Sequence, residues 1–539
     1  MAKKIMIQGT MSNSGKSFLA AALCRIFSQD GYKTAPFKSQ NMALNSYITE
    51  DGLEIGRAQA MQAEAAGIAP TAEMNPILLK PTSQMGSQVI VMGEVYGNLR
   101  AMDYYRKKPA FIPVVQKAFQ KLEDEYDVIV LEGAGSPAEI NLREHDIVNM
   151  GMARMADAPV LLVGDIDRGG VFASLYGTVN LLEPEERARI KGLVINKFRG
   201  DVEILKPGLQ MIEERLGIPV VGVIPMEQID LDDEDSLSER LEPGRMPGDE
   251  RGQPALDIAV IRLPHLSNFT DFNALEQMPG AAVRYVNRTA YLGTPDLVIL
   301  PGTKNTMEDL TWLRESGLEP AIVRLVEEKQ IPLIGICGGF QMLGQQLSDP
   351  EGVEGEAGGR MRGMGLLDLE TVFSAQKTRT RITGRMEQGF GPFSDGTGSQ
   401  VEGYEIHMGV TWETAPEAKS QKSCPAVCLA DGRMDGRIRE DGLVFGTYLH
   451  GIFDNEAWTE RLLSNLAERK GLTLEPTGQS RDAYRQEQYD KLAELVQKSL
   501  DMDAVRRIMG FSEKETEVIR QKCHRENIAK VTGQKEGQP

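Results

Sequence analysis

Residues 331–344 read IPLIGICGGFQMLG, and in this stretch a cysteine stands between glycines at the end of an apolar run. The spacing G-x-C-x-G is typical of a nucleophile elbow, a tight strand-to-helix turn that holds the reactive side chain out into a cleft. Gly335, Gly338 and Gly339 supply the small neighbours that such a turn requires. The start of the following helix would favour a thiolate at Cys337. The stretch therefore predicts the strand–turn–helix unit of an α/β sheet with Cys337 as a nucleophile, against the alternative of a buried, inert cysteine.

A histidine suited to activate this thiol ends a second apolar run, GLVFGTYLHGIF, at residues 442–453. A thiol near its ordinary pKa is mostly protonated at neutral pH, so an imidazole within hydrogen-bond reach is the usual means of activating it. His450 is the candidate for this base. The other histidines are more typical of structural or surface positions, with His407 the closest rival: His145, His265, His407 and His524.

A phosphate-binding loop is indicated at the N-terminus, where the apolar run KKIMIQG leads into GTMSNSGKS and then into the helical pattern FLAAALCRIF. In such a loop the backbone N–H groups cradle phosphates, Lys16 reaches the terminal ones and the Ser17 hydroxyl holds Mg²⁺. Gly9 stands one residue farther from Gly15 than the standard motif has it, which leaves a chance glycine-rich turn as the alternative. The expected nucleotide-binding residues of this loop are Gly9, Thr10, Asn13, Ser14, Gly15, Lys16 and Ser17.

Composition indicates a large intracellular enzyme. The chain has 539 residues, more than one hydrophobic core usually supports, and 41% of them are hydrophobic. Five cysteines without regular spacing favour a reducing compartment, and Cys424 and Cys428 lack the second pair that a zinc site needs. The net charge of −18 opposes binding to nucleic acid or anionic membranes, so an anionic substrate needs a local basic pocket. We find no signal-peptide core or membrane-spanning run, and expect a cytoplasmic location.

Alternating strand and helix patterns predict a doubly wound parallel sheet in the first domain and a second α/β sheet after it. The expected strands of the first domain, besides the N-terminal one, are YKTAPFK, YDVIVLEG, APVLLVGD, IKGLVINK and IPVVGVIP, and those of the second are LDIAVIRLP, TPDLVILPG, IPLIGIC and GLVFGTYLH. The predicted divisions are a first domain at 1–228, an acidic linker at 229–254, a second domain at 255–480, and a helical extension with a polar tail at 481–539.

Polar side chains follow several strands of the first domain, where a doubly wound sheet gathers its ligands. Glu132, at the end of VIVLEGAG, is the expected carboxylate ligand of Mg²⁺ beside phosphate oxygens. Lys38 follows the second strand and is expected to join the nucleotide-binding residues, and Asp165, Asp167 and Arg168 follow a third strand. Each of these could instead be a solvated loop charge.

Several long motifs carry a resemblance to a known family. They are PFKSQNMALNSYITEDGLEIGRAQAMQAEAAG, MNPILLKPTSQMGSQVIVMG, EGAGSPAEINLREHDIVNMGMA, GDIDRGGVFASLYGT and INKFRGD. With them, nearly all of residues 1–510 resembles the cobyric acid synthases. The resemblance implies a dethiobiotin-synthetase-like, ATP-dependent amide-forming domain joined to a class I glutamine amidotransferase domain. It further implies amidation of the b, d, e and g carboxylates of adenosylcobyrinic acid a,c-diamide, with glutamine as the ammonia donor.

The resemblance also assigns roles to single residues. Cys337 is similar to the family's glutaminase nucleophile and His450 to its base, with backbone N–H groups near Gly302 and at Gly338 as the oxyanion hole. The corrinoid carboxylates are expected to meet basic side chains in polar loops of the first domain, namely Lys38, Lys80, Arg168, Lys197 or Arg199.

One position departs from the broader pattern of these glutaminases. They carry H-P-E, with a glutamate two residues after the histidine, whereas this chain has Ile452 there. The site therefore either functions as a Cys–His dyad or takes the carboxylate that orients His450 from elsewhere in the chain. Glu405 and Asp454 are weak candidates for this carboxylate.

The implied chemistry passes through an acyl phosphate, since a carboxylate is a poor electrophile until ATP gives it a leaving group. Ammonia would be largely protonated in bulk water, which favours a shielded passage between the domains. Two alternatives stay open: a partitioning-type ATPase switch, and a related ligase such as the sister enzyme that amidates the a and c carboxylates. The sequence sets no oligomeric state.

Overall fold

The computed structural model describes two α/β domains followed by C-terminal helices. The residues it describes are 2–83, 86–232, 256–354, 357–387, 389–394, 398–414, 422–474 and 478–518. Most of the expected linker, residues 229–254, lies outside these ranges, and so does the end of the expected tail. Within them, no helix is long and apolar enough to cross a membrane.

The first domain alternates strands and helices along the chain. Its strands are Lys3–Gly9 (β1), Thr34–Phe37 (β2), Gln40–Met42 (β3), Ser46–Ile48 (β4), Glu54–Gly56 (β5), Ile77–Ser83 (β6), Gly86–Val91 (β7), Glu94–Arg100 (β8), Val128–Glu132 (β9), Val160–Asp165 (β10), Ile190–Phe198 (β11) and Val220–Pro225 (β12). Its helices are Lys16–Gln29 (α1), Arg57–Ala66 (α2), Ala101–Lys107 (α3), Ile112–Glu125 (α4), Met150–Met155 (α5), Val171–Leu181 (α6), Pro184–Arg187 (α7) and Val202–Leu216 (α8).

The main sheet of this domain is parallel and six-stranded, in the order β12-β11-β10-β1-β9-β2. The middle residues of its central strands are apolar because helices cover both faces, and separate apolar clusters form on the two sides. The predicted doubly wound sheet is thus confirmed. The strand order reverses around β1, so the loops after β1, β9, β10 and β11 meet at one edge, where such folds bind ligands.

Two smaller sheets of the first domain were not predicted from the sequence. Strands β3, β6, β7 and β8 form a four-stranded sheet, and β4 and β5 form an antiparallel pair. Their strands are mostly short, with a few apolar residues each, so period-two alternation is too brief to identify them. They position the segment that contacts the second domain.

The second domain also begins with alternating elements. Its strands are Leu256–Ile261 (β13), Ala281–Val286 (β14), Leu297–Leu300 (β15), Leu333–Ile336 (β16), Gln346–Asp349 (β17), Gly359–Arg362 (β18), Leu369–Met386 (β19), Gln400–Glu413 (β20), Ser423–Leu429 (β21), Met434–Arg439 (β22) and Val444–Thr447 (β23). Its helices are Asn273–Gln277 (α9), Thr289–Leu292 (α10), Thr306–Glu315 (α11), Leu318–Lys329 (α12), Gly338–Met342 (α13) and Glu456–Lys470 (α14).

Strands β14, β13, β15, β16 and β23 form the parallel part of this sheet, which continues through antiparallel β22 and β21. The long strands β19 and β20 pair with each other and extend toward the first domain. All four strands predicted for this domain are present. The carboxyl ends of β13, β15, β16 and β23 lie side by side, and the candidate glutaminase residues follow them.

The C-terminal helices Arg481–Ser499 (α15) and Met502–Ile508 (α16) pack against the first domain. Tyr489, Leu492 and Val496 of α15 are buried in the same apolar cluster as the α1 side chains. The Tyr489 hydroxyl donates to Glu64 of α2 at 3.0 Å. The end of the described chain therefore completes the core of the domain with which the chain starts.

Candidate active sites

Cys337 stands at the turn between β16 and α13, as the glycine pattern predicts. Its φ of 53° lies in the left-handed region, which is uncommon for a residue with a side chain and is a feature of strained nucleophile turns. The backbone N–H of Cys337 donates to the Thr447 carbonyl at 2.9 Å, which ties the turn to strand β23. The turn and its hydrogen bond to β23 therefore hold the Cys337 thiol at a fixed position at the end of the sheet.

His450 follows β23 and lines the same cavity as the Cys337 thiol. On the other side, Nδ1 of His450 contacts an Asp271 carboxylate oxygen at 2.7 Å. Burial lowers the pKa of this imidazole, but the charges and hydrogen bonds of Asp271 and Cys337 outweigh it and raise the pKa to about 10. A protonated His450 can stabilise a thiolate, which is the reactive form of a cysteine.

Asp271 is the orienting carboxylate that the sequence reasoning missed. It lies in the 3₁₀ turn Phe269–Phe272, 179 residues before His450, and also accepts a hydrogen bond from the Gly451 N–H at 3.1 Å. The signal available in the sequence was its position in the loop after β13, at the same sheet edge as Cys337.

The two weak candidates for this role are engaged elsewhere. Glu405 accepts from Arg433 at 2.8 Å, and Asp454 pairs with Arg481. Neither is recorded in contact with His450 among the described residues.

His407, the closest rival base, lines the same cavity as Cys337. Its ring stacks on Tyr448 with centroids 3.8 Å apart, and Nδ1 contacts the Gly409 carbonyl at 3.2 Å. Burial lowers the pKa of His407 to about 4, so it is neutral at neutral pH. His145 stacks on Tyr105 and His265 pairs with Asp309, while His524 lies outside the described residues.

The two glycines expected to form the oxyanion hole both lie against this site. A Cβ atom at Gly302 would come 3.0 Å from the Cε1 atom of His450, and one at Gly338 would come 2.5 Å from Thr303. Side chains at these positions would occupy the space beside the thiol. A cavity of about 40 Å³ opens there, lined by Cys337, His450, Thr303, Gln341 and, from the first domain, Lys80.

The phosphate loop connects β1 to α1 at the carboxyl edge of the first sheet. Gly15 has a φ of 91° and precedes α1 directly, which is the left-handed geometry that a loop wrapped around phosphate requires. The amide of Asn196 donates to the Ser14 carbonyl at 2.9 Å and holds the loop against β11. Lys16 donates to the carbonyls of Met11 and Gly135, at 2.9 and 3.3 Å, across the loop.

Glu132 ends β9 and lies beside this loop. Its carboxylate accepts from Ser17 at 2.8 Å, from Lys38 at 2.9 Å and from Gln62 at 2.6 Å, and it is buried. A serine hydroxyl next to a carboxylate is an oxygen donor set that suits Mg²⁺ when phosphate oxygens and water complete the octahedron. Ser17 and Glu132 therefore fit the metal site that the sequence predicts.

The loop also carries buried hydroxyl groups suited to a ligand. Among the described residues, Thr10 and Ser14 each have a buried side-chain oxygen without a hydrogen-bond partner. Because an unpaired buried polar atom is costly, such atoms are usually satisfied by a ligand or water. Gly9 ends β1, Asn13 has a φ of 59°, and Lys16 and Ser17 begin α1. Lys38, also predicted to bind nucleotide, lies after β2 and contacts Glu132 beside this loop.

The basic residues expected to meet the substrate divide into two groups. Arg168 is exposed in the loop after β10, Lys197 pairs with Asp165 at 2.9 Å, and Arg199 pairs with Asp167 at 3.0 Å. All three lie near the carboxyl edge of the sheet, Arg168 and Arg199 in loops as predicted and Lys197 on strand β11 rather than in a loop.

The prediction that Lys80 lies in a polar loop is wrong, whereas Lys38 does lie in the loop after β2 but is buried there. Lys38 is buried against Glu132. Lys80 is on strand β6 and pairs with Glu54 at 2.9 Å, with 5% of its side chain exposed. Both ammonium groups are held by carboxylates inside the protein.

Together, a phosphate-loop domain and a thiol–imidazole–carboxylate domain define the class of glutamine-dependent amidotransferases. Two family models match the same two regions. Residues 5–237 match the CobQ/CobB/MinD/ParA nucleotide binding domain, and residues 257–458 match the CobB/CobQ-like glutamine amidotransferase domain.

Curated relatives match almost the whole chain. Cobyric acid synthases from Lachnoclostridium phytofermentans and Ruminiclostridium cellulolyticum are each 55% identical, covering 94% of this chain and 99% and 97% of their own lengths. The one from Yersinia enterocolitica is 51% identical and covers 95% of this chain and 99% of its own length. The chain belongs to the cobyric acid synthase family of cobalamin biosynthesis.

Proposed function

We propose that this enzyme amidates the b, d, e and g carboxylates of adenosylcobyrinic acid a,c-diamide, using ATP, Mg²⁺ and glutamine, to give adenosylcobyric acid. The observation that carries the proposal is the presence of both sites in one chain: the Cys337–His450–Asp271 arrangement and the phosphate loop at Lys16. The printed names of the relatives support the corrinoid as substrate. We assign the amide-forming chemistry to residues 1–228 and glutamine hydrolysis to residues 255–480.

In the second domain, the Cys337 thiolate attacks the carboxamide carbon of glutamine. The negative charge that develops on the oxygen is stabilised by backbone N–H groups at Gly338 and near Gly302. The imidazolium of His450 donates its proton to the departing nitrogen, which leaves as ammonia. Water, deprotonated by His450, then hydrolyses the thioester to glutamate and restores the thiol.

In the first domain, a corrinoid carboxylate takes the terminal phosphoryl group of ATP and becomes an acyl phosphate. Lys16 and the loop N–H groups hold the phosphates, and Ser17 and Glu132 would hold Mg²⁺, which would neutralise charge on the phosphate oxygens. Arg168, which is exposed at the carboxyl edge, would bind the carboxylates of the corrinoid. Ammonia attacks the acyl carbon, and phosphate leaves.

The test is mass spectrometry of the corrinoid after incubation with ATP and either glutamine or an ammonium salt. Four successive acid-to-amide exchanges are expected, with ADP and phosphate as the other products. Lys16→Ala should abolish the exchanges with both nitrogen sources, because both need the acyl phosphate. AMP and pyrophosphate as products would contradict the acyl-phosphate step.

The same assay separates the alternatives. A partitioning-type ATPase would hydrolyse ATP without changing the corrinoid, and it has no use for the second domain. A sister enzyme would accept cobyrinic acid itself and stop after two exchanges at the a and c positions.

A further inference from the structure

The cavity beside Cys337 carries charged side chains that the thiol chemistry does not use. Besides two histidines, the charged side chains that line it are Lys80, Lys304, Glu354 and Lys377. Lys80 and Lys377 both pair with the Glu54 carboxylate, at 2.9 and 2.6 Å, so their ammonium groups are already held. Lys304 and Glu354 are therefore the charged groups of this cavity whose role is still to be explained.

Lys304 lies in the turn between β15 and α11. Its backbone N–H donates to the His265 carbonyl at 3.0 Å, which fixes the turn. A Cβ atom at Gly338 would come 2.5 Å from Thr303 and 3.3 Å from the Thr306 hydroxyl. The segment on either side of Lys304 therefore lies against the nucleophile turn. Among the described residues, the Lys304 ammonium group has no recorded hydrogen-bond or ion-pair partner.

Glu354 reaches the same cavity from the loop after β17. Its carboxylate accepts from the backbone N–H of Thr306, the first residue of α11, and its own N–H donates to Asp349 at 2.8 Å. Burial raises the pKa of Glu354, the Lys304 charge opposes this, and the result is about 7. Burial also lowers the pKa of Lys304, and the Glu354 charge opposes that shift. Each charge thus stabilises the other, although no ion pair joins these two side chains, both of which the structure describes.

A separated carboxylate and ammonium group in one cavity match the head group of an α-amino acid. Glutamine carries an α-ammonium and an α-carboxylate group on one carbon atom, which two methylene groups separate from the amide carbon. Because a charge withdrawn from water without a counter-ion is costly, a ligand that brings the opposite charge to each group is favoured. The amide of the same ligand then extends toward Cys337.

Gln341 also lines the cavity, but its amide is already engaged. The amide nitrogen donates to the Met408 carbonyl and to the Tyr448 hydroxyl, both at 3.1 Å. The amide oxygen accepts from the Thr306 hydroxyl at 3.0 Å. Recognition of a charged head group is therefore better assigned to Glu354 and Lys304.

We propose that Glu354 binds the α-ammonium group of glutamine and that Lys304 binds its α-carboxylate, so that the two residues select glutamine among carboxamides. This inference rests on the proposed function, because it concerns the glutaminase site assigned there. Both residues touch the part of the substrate that does not react, and both therefore determine specificity. Binding of the head group also fixes the carboxamide beside the Cys337 thiol.

The test compares three amides: glutamine, 4-carbamoylbutanoate, which lacks the α-ammonium group, and 4-aminobutanamide, which lacks the α-carboxylate. The carboxylic acid formed from each gives kcat/KM, with and without corrinoid. Wild-type protein should prefer glutamine over each analogue by about ten-fold or more, because each analogue leaves one charge of the site without its partner. Equal use of the three amides by the wild type would overturn the inference without any variant.

Two variants test the two groups separately. Glu354→Gln should lower kcat/KM about ten-fold or more for glutamine and 4-aminobutanamide, but less than about two-fold for 4-carbamoylbutanoate, which has no α-ammonium group to bind. Lys304→Met should show the converse pattern and spare 4-aminobutanamide alone. Glu308→Gln is the matched control, since Glu308 is exposed on α11 and does not line the cavity, so it should use all three amides like the wild type.

Equal losses for all three amides in Glu354→Gln and Lys304→Met would show that the two residues only support the local fold, and would overturn the inference. Amidation from an ammonium salt shows that each variant is folded. The proposed function fails separately, if wild-type protein prefers glutamine over both analogues but amidates no corrinoid. Corrinoid amidation that uses the three amides equally would contradict the inference and leave the proposed function standing.

Discussion

At the scale of single residues, Asp271 decides how His450 behaves. Its carboxylate, 2.7 Å from Nδ1, fixes the ring and raises the pKa of the imidazole. The raised pKa means that His450 keeps its proton from acid up to about pH 10. The wild-type enzyme should therefore hydrolyse glutamine with little loss between neutral and mildly alkaline pH.

Asp271→Asn should remove this advantage. Without the carboxylate, burial dominates and the pKa of His450 falls, so the imidazolium is lost as pH rises through a lower value. We expect glutamine hydrolysis to decrease about 10²–10⁴-fold at alkaline pH and less at acidic pH. Steady-state glutamate production across the pH range measures this, and synthesis from ammonium salt should be retained.

Asp454→Asn is the matched control for this prediction. Asp454 is close in sequence to His450 but pairs with Arg481, so its pH profile should follow wild type. If Asp271→Asn hydrolyses glutamine with the pH profile of the wild type, Asp271 does not assist His450 and the site functions as a Cys–His dyad.

The sequence predicts some of these residues and not others for a physical reason. Cys337 and the phosphate loop can be recognised in the sequence because a tight turn requires glycines at neighbouring positions. Asp271 and His450 are far apart in the sequence and meet only at the edge of the folded sheet. No local residue spacing therefore predicts their contact. Lys80 shows the same limit, since its residue type suggested an anion-binding loop whereas strand pairing buries it against Glu54.

At the scale of elements, helix α15 was correctly predicted as a helix, but the sequence did not show which part of the protein it packs against. Its buried residues recur at helical spacing, which the sequence displays, but the surface they cover belongs to α1 at the other end of the chain. The long strands β19 and β20 were missed because many of their residues are polar and half-exposed. In both cases the partner surface is formed by residues far away in the chain, so local patterns cannot identify it.

Leu492→Ala tests the contribution of α15. Leu492 is buried against α1, so its truncation should destabilise the first domain by about 2–5 kcal/mol. Calorimetry is the suitable measurement, because Trp312, Trp412 and Trp458 all lie in the second domain. The neighbouring Lys491→Ala removes only an exposed pair with Glu487 and should change the unfolding midpoint very little. Equal effects of the two substitutions would show that α15 adds nothing to the first domain's core.

At the scale of the whole molecule, the two domains meet through polar contacts that involve both sites. Asn268 precedes the turn that carries Asp271, and it accepts from the Ser46 N–H at 3.3 Å. Its amide also donates to the hydroxyl of Tyr404, whose ring stacks on His450. Contacts with the first domain thus help to position the glutaminase residues. Such contacts suit a reaction in which ammonia made in one domain is consumed in the other.

This division of labour predicts the behaviour of Cys337→Ala. The variant should lose corrinoid amidation from glutamine, because no other group can form the thioester, yet keep amidation from a concentrated ammonium salt at mildly alkaline pH, where more ammonia is free. Cys424→Ala is the matched control, since Cys424 lies on strand β21 and does not line the cavity, so it should use both nitrogen sources normally. Corrinoid mass spectra with each nitrogen source provide the measurement. Wild-type use of glutamine by Cys337→Ala would refute the nucleophile assignment, whereas loss of the ammonium reaction in a folded variant would refute the separation of the two sites.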